Sequence, residues 1–125
     1  MADSVERLYD GVIAARHGDP TRSRTARLLR SGRAKMAKKL AEEAVEVVID
    51  AMNGSRDAVI KESADLIYNL VVLWVSSGVQ PKDVWKEMER RERLFGIAEK
   101  LMKDAADDPR RKVVTLESRR LRKRR

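Results

Sequence analysis

The sequence predicts an all-α fold, a helical bundle whose core is completed by a second copy of the chain. Apolar residues recur at helical spacing in several segments, and no segment has a convincing strand pattern. Aromatic residues make up 4% of the 125 residues, so the core must be built from aliphatic side chains and methionine. A chain of this length forms one domain, with little material to spare.

Two short helices are predicted first. Residues 3–17 carry apolar side chains at helical spacing, with Asp3 or Ser4 as the N-cap. The segment Gly18-Asp19-Pro20 stops this helix, because glycine and proline together favour a turn. After a loop, residues 25–30 form a turn or two of helix before Ser31-Gly32.

Two long helices follow, separated by the C-cap signal Asn53-Gly54. Residues 34–52 are amphipathic, whereas residues 56–77 are apolar almost all the way round and should be buried on most sides. The apolar sector of the first long helix consists of Ala41, Ala44, Val45, Val48, Ile49 and Met52. A further helix begins at Pro81 and extends to about residue 104. A helix that is apolar on all sides lacks partners in so small a bundle, which predicts a homodimer or a higher homo-oligomer.

The excess positive charge is confined to the end of the chain. Residues 110–125 contain nine Lys or Arg and one acid, Glu117, which accounts for the whole net charge of +8. We therefore divide the chain into a helical domain, residues 1–109, and a basic tail, residues 110–125. Such a run is typical of a solvated, disordered segment. Its alternative role is a weak, non-specific contact with nucleic acid.

Composition also excludes several classes of protein. The absence of cysteine excludes disulfide scaffolds and thiolate zinc sites, and the single histidine, His17, excludes a multi-histidine metal site. The longest apolar run, residues 66–75, is too short to span a bilayer. No signal-peptide pattern opens the sequence. We expect a cytoplasmic protein that makes no membrane contact.

Two carboxylates lie on one face of the otherwise apolar second long helix. Glu62, Asp65 and Asn69 are spaced i, i+3 and i+7, so they share that face. Burying two carboxylates is costly unless a charge compensates them. An ion pair with arginine is one way to compensate them, and a metal ion is the other.

The first long helix offers acids that can meet this pair. Glu42, Glu43 and Glu46 can converge on one side of the helix, and the short connection predicts antiparallel packing against the second long helix. Such packing brings Glu43 and Glu46 opposite Glu62 and Asp65. Four facing carboxylates cannot all stay ionised without a counter-charge. Taken without the second helix, the three acids of the first long helix have an alternative interpretation as a solvated helix face.

An all-oxygen ligand set without histidine or cysteine points to Mg²⁺, with Mn²⁺ as a substitute. Lys35, Lys38 and Lys39 lie one to two turns upstream on the same helix. Because Mg²⁺ in proteins commonly shares its ligands with substrate phosphates, these lysines are candidate phosphate contacts.

These motifs together resemble the phosphoribosyl-ATP pyrophosphohydrolase family, within the all-α MazG-like nucleotide pyrophosphohydrolases. The resemblance rests on Glu43-x-x-Glu46 and Glu62-x-x-Asp65, and it runs from about Leu8 to Glu89. It implies a MazG-like bundle completed by a homodimer. It also implies Mg²⁺-dependent hydrolysis of the α–β phosphoanhydride of phosphoribosyl-ATP to phosphoribosyl-AMP and pyrophosphate, the second step of histidine biosynthesis.

The resemblance also assigns roles to residues. Glu42 would be an additional metal ligand or would orient the attacking water, and either Glu42 or Glu46 would take its proton. The expected metal ligands are Glu43, Glu46, Glu62 and Asp65. The expected substrate contacts are Arg24, Lys35, Lys38, Lys39 and Asn69.

Three features depart from the family pattern. Arg24 replaces the aromatic residue that usually stands between Ser23 and Thr25, and Asn69 replaces a frequent histidine. The segment from Arg91 onward does not resemble the family. These departures leave open a paralogous enzyme that hydrolyses another nucleoside triphosphate. Two further alternatives remain. One is a nucleic-acid-associated protein that binds through its basic tail, and the other is a purely structural helical dimer.

Overall fold

The computed structural model describes residues 3–105, with side chains described for residues 3–96. Within that range the chain forms five α-helices and no strand, which confirms the predicted all-α fold. The helices are α1 (Ser4–Ala15), α2 (Arg24–Arg30), α3 (Arg33–Met52), α4 (Arg56–Ser77) and α5 (Pro81–Ala105). The predicted basic tail, residues 110–125, and its boundary with the helical domain lie outside the described residues.

The chain divides into two compact units, Met1–Val84 and Trp85–Arg125. The first unit holds α1 to α4 and the start of α5, and the second holds the rest of α5. None of the helices between residues 3 and 105 combines the length and the apolar composition that crossing a membrane requires.

Side-chain caps and glycines set most of the helix ends. The hydroxyl of Ser23 accepts a hydrogen bond from the backbone of Ala26 at the start of α2, and that of Ser55 accepts one from Ala58 at the start of α4. Gly78 ends α4 with a φ of 72°, a left-handed conformation that glycine adopts without strain. The long helices therefore end within a residue of where the sequence predicts.

The first helix differs slightly from its prediction. Asp3, one of the two predicted N-caps, caps the helix as expected, and its carboxylate accepts a hydrogen bond of 2.7 Å from the backbone of Glu6. The helix ends at Ala15, two residues earlier than expected. The backbone N–H of Arg16 donates to the carbonyl of Ile13, three residues earlier, which is the hydrogen bond of a tighter final turn.

The core of the first unit is aliphatic, as the composition predicts. One buried residue each from α1, α2 and α3 packs with three valines of α4. These residues are Val12, Leu28, Met36, Val71, Val72 and Val75. A core that draws on four helices fixes α1 and α2 against the α3–α4 pair.

The predicted apolar sector of α3 lies at the surface of the single chain. Val45, Val48, Ile49 and Met52 are 57%, 61%, 51% and 83% exposed. Instead, α3 presents a half-buried side that includes Leu40, Glu43 and Val47. The expectation that α4 is buried on most sides holds only in part, since Ile60 and Ile67 are also exposed. The side of α3 that carries Glu43, and not its most apolar side, packs within the chain.

One polar contact attaches the short helix α2 to α4. The hydroxyl groups of Thr25 and Tyr68 lie 2.7 Å apart and share a hydrogen bond in a partly buried setting. Because α2 has only seven residues, it depends on such contacts for its position.

We expect Tyr68→Phe and Thr25→Val each to lower the free energy of unfolding by about 1 kcal/mol, since each removes one partner of the same hydrogen bond. The double variant should lose little more than either single variant, because the bond can be lost only once. Urea unfolding followed by circular dichroism measures all three. Fully additive losses would show that the two hydroxyl groups do not interact.

Candidate active site

The α3–α4 pair brings carboxylates from the two helices together. A connection of three residues, 53–55, joins the helices, so they run antiparallel. Glu43, Glu62 and Asp65 each offer an oxygen atom, and these three atoms lie within 4.8 Å of one another. Glu46, one turn after Glu43, approaches Glu62 closely enough to perturb its pKa. We call these four residues the acidic cluster.

Two oxygens of the acidic cluster have no hydrogen-bond donor. Oε2 of Glu43 and Oε2 of Glu62 are buried and unpartnered, although burial of a carboxylate oxygen is costly without a donor or a cation. Both residues are half-buried, whereas Asp65 is exposed, so the cluster is open on one side. A divalent cation that prefers oxygen ligands fits this donor set and its open side.

Hydrogen bonding with neighbouring carboxyl groups, helped by desolvation and by charge repulsion, raises the pKa of Glu62 to about 7. The side chain of Glu46 is the largest cause, followed by that of Glu43 and then by desolvation. A proton shared between neighbouring carboxyl groups supplies the missing donor, and a bound cation would replace that proton.

A cavity of about 310 Å³ lies beside the acidic cluster, between α2, α3 and α4. Because Lys35, Lys39 and Glu43 are spaced four residues apart, they form one stripe along α3 that leads to the cluster. The residues that line the cavity are Arg24, Arg27, Leu28, Ser31, Lys35, Lys39, Glu43, Asp65, Tyr68 and Asn69. The cavity is therefore acidic at the cluster and cationic elsewhere.

Asn69 is the one buried polar residue among those whose burial is described, with 5% of its surface exposed. Its Nδ2 donates a hydrogen bond of 2.8 Å to the backbone carbonyl of Asp65. Asn69 also lines the cavity, so its amide is a candidate contact for a group bound there.

Four residues predicted from the sequence are not part of the cavity lining, and two of them, Glu46 and Glu62, belong to the acidic cluster. Lys38 and Glu42 form an exposed ion pair across one turn of α3, with 4.0 Å between Nζ and Oε1. The residues that follow them in sequence, Lys39 and Glu43, lie on the cavity side of the helix. An exposed pair of this kind contributes little to stability.

Four lining residues were not predicted from the sequence: Arg27, Leu28, Ser31 and Tyr68. Arg27 follows Arg24 by three residues, so both lie on one face once residues 24–30 are helical. This spacing was a usable signal for Arg27. Tyr68 could have been found by its position one residue before Asn69 on α4, but its bond to Thr25 needs the tertiary structure.

Carboxylates that converge beside a lysine- and arginine-lined cavity define a phosphoanhydride hydrolase built on helices. Residues 5–92 match the family described as phosphoribosyl-ATP pyrophosphohydrolase, and the chain belongs to this family. The family predicted from the two acidic motifs is thereby confirmed, together with its class of enzyme.

Curated relatives agree with this assignment. Phosphoribosyl-ATP pyrophosphatase 2 of Rhodopseudomonas palustris is 63% identical over 131 aligned residues, which cover 100% of both chains. The protein of the same name from Bradyrhizobium diazoefficiens is 62% identical and covers 99% of both chains. Phosphoribosyl-ATP pyrophosphatase of Gluconobacter oxydans is 54% identical over 77% of this chain and 72% of its own. The first two alignments include the segment beyond residue 92, which the family match leaves out.

We expect the metal-free protein to lose stability as the pH rises from about 4.5 to about 7. The raised pKa means that the folded state binds more protons than the unfolded state in this window, so folding is favoured at its acidic end. Glu62→Gln should remove this dependence and should stabilise the metal-free protein near neutral pH. The melting temperature in EDTA, measured across this window, tests both expectations.

Glu62→Gln should also gain less stability from bound metal than the original protein does. Saturating Mg²⁺ should raise the melting temperature of the original protein more than that of Glu62→Gln, because the variant lacks one anionic ligand. Glu89→Gln, an exposed carboxylate on α5, serves as the control and should change neither response. Equal metal responses in Glu62→Gln and the original protein would contradict a metal-binding role for Glu62.

Proposed function

We propose that this chain hydrolyses phosphoribosyl-ATP to phosphoribosyl-AMP and pyrophosphate with Mg²⁺ as its cofactor. The observation that carries the proposal is the acidic cluster at one end of a cavity whose other charged residues are cations. A triphosphate needs both features, a metal for the reacting anhydride and positive side chains for the remaining oxygens. The printed names of the relatives supply the substrate.

The proposed metal ligands are Glu43, Glu46, Glu62 and Asp65. Three of them meet within 4.8 Å, and the unpartnered oxygens of Glu43 and Glu62 are ready acceptors for a cation. When bound, Mg²⁺ polarises phosphate oxygens and lowers the pKa of water. Oxygen-only ligands suit Mg²⁺ and, as a substitute, Mn²⁺.

Cationic side chains hold the phosphates. Lys39 lies one turn from Glu43 and Lys35 two turns from it, so both can reach a chain of phosphates that extends along α3 from the acidic cluster. Their charges stabilise the negative charge that develops on the leaving pyrophosphate. Arg24 and Asn69 are further substrate contacts, and Lys38 would reach the phosphates only by leaving its pair with Glu42.

A carboxylate accepts the proton of the attacking water. The water oxygen bonds to phosphorus, the bridging P–O bond of the anhydride breaks, and the proton passes to the carboxylate. We favour Glu46 over Glu42 for this role, because Glu46 adjoins Glu62 while Glu42 pairs with Lys38 on the exposed side.

A second copy of the chain covers the exposed apolar side of α3. This surface, defined by Val45, Val48, Ile49 and Met52, is continuous along one side of the helix and is more than half exposed at each residue. Monomeric proteins rarely leave such a contiguous apolar surface in water. Pairing two α3–α4 hairpins would bury it in a four-helix arrangement.

The central test of the function is pyrophosphate release from phosphoribosyl-ATP and from a panel of other nucleoside triphosphates. We expect Mg²⁺-dependent turnover of phosphoribosyl-ATP, and we expect Glu46→Gln and Asp65→Asn to lower kcat by about a thousandfold or more. Both variants should keep the helical circular dichroism of the original protein. Glu89→Gln is the matched control, since it also removes one helical carboxylate.

Three outcomes would contradict parts of this proposal. Turnover of a different triphosphate would show that the proposed substrate is wrong and the proposed reaction is right. Retained activity in both variants would remove the acidic cluster from the mechanism. Activity that is insensitive to EDTA would exclude the metal.

We expect Val48→Asp to shift the protein from a dimer to a monomer, because it places a charge in the centre of the apolar surface of α3. Sedimentation equilibrium of the original protein and of the variant measures this change. A protein that is monomeric before substitution would contradict the proposed dimer.

A further inference from the structure

The cations of the cavity come from two different helices. Lys35 and Lys39 belong to α3, the helix that also carries Glu43, whereas Arg24 and Arg27 belong to α2. The two arginines are three residues apart and therefore share one face of α2. The cavity thus has a lysine group next to the acidic cluster and an arginine group on a separate element.

The arginine group is not neutralised by the chain itself. Among the described residues, neither Arg24 nor Arg27 pairs with a carboxylate, whereas Arg90 and Arg91 both bind Glu87. Two unpaired guanidinium groups beside one cavity favour an anion between them. Guanidinium groups also match the oxygens of a terminal phosphate with paired hydrogen bonds, which a lysine ammonium cannot provide.

Neighbouring contacts hold the arginine group at the cavity. Thr25, which stands between the two arginines, is bonded to Tyr68 of α4 through its hydroxyl. Buried Leu28 anchors the same helix in the core. The amide of Asn69 adds a polar group to the lining between α2 and α4. A helix fixed in this way loses little freedom when it binds an anion.

Phosphoribosyl-ATP carries phosphate at two separate places, the triphosphate and the phosphate on the additional ribose. Resting on the proposed function, we propose that Arg24 and Arg27 form a subsite for the phosphate of the phosphoribosyl group, apart from the triphosphate held at the acidic cluster. The lysines of α3 serve the triphosphate, since they lie on the same stripe as Glu43. The arginines then distinguish phosphoribosyl-ATP from nucleotides that lack the second phosphate.

The test compares two substrates that differ only in this phosphate, phosphoribosyl-ATP and N1-ribosyl-ATP. The variants are Arg24→Gln, Arg27→Gln and the double variant. The matched control is Arg30→Gln, an arginine of the same helix that does not line the cavity. The measured quantities are kcat and KM for each substrate, with the melting temperature as a check of folding.

The original protein should prefer phosphoribosyl-ATP by about a hundredfold in kcat/KM, and each single variant should lose about tenfold for it, mainly through a higher KM. Turnover of N1-ribosyl-ATP should stay within about twofold in every variant, because its contacts are unchanged. Arg27→Lys should recover only part of the loss, since lysine keeps the charge but not the paired hydrogen bonds. Arg30→Gln should behave like the original protein.

The outcomes separate this subsite from the proposed function. If the original protein turns over phosphoribosyl-ATP but the variants lose equally with both substrates, the arginines serve the triphosphate and the subsite is wrong. Absence of any preference for the second phosphate in the original protein would overturn the subsite as well. No turnover of phosphoribosyl-ATP by the original protein would overturn the proposed function, and the subsite with it.

Discussion

Repulsion between like charges across the α3–α4 pair is the constraint on which the rest of this structure depends. The short connection forces the two helices to run antiparallel, and this packing sets Glu43 and Glu46 against Glu62 and Asp65. Without a cation the arrangement is costly, as the raised pKa of Glu62 and the unpartnered oxygens indicate. The two helices bring together the negative charges of several carboxylates, and a proton or a cation is needed to balance them.

The orientation of α3 creates this repulsion and also explains the unusual surface of the chain. Because the side that carries Glu43 faces inward, α3 leaves Val48 and Met52 exposed on the outside. A single chain therefore cannot direct both Glu43 and the apolar side of the same helix toward α4. The proposed dimer would resolve this conflict, because a second copy would cover the apolar side of α3.

The short helix α2 gives the site its second half. Its seven residues are held by the core through Leu28 and by the hydroxyl pair of Thr25 and Tyr68. In this position it closes one wall of the cavity with positive side chains, opposite in charge to the acidic cluster. A helix too short to be stable alone thus gains its order from the helices whose site it completes.

The sequence alone determined the all-α fold, the bounds of the long helices and the family, because helical periodicity, caps and the Glu-x-x-Glu and Glu-x-x-Asp spacings are local features. It also predicted that the four carboxylates converge, since two antiparallel helices leave few ways to arrange them. Only the tertiary structure decided which side of α3 packs inward, and so separated Glu43 and Lys39 from their exposed neighbours Glu42 and Lys38. Residues next to one another in sequence point about 100° apart on a helix, and only the packed partner helix selects between them.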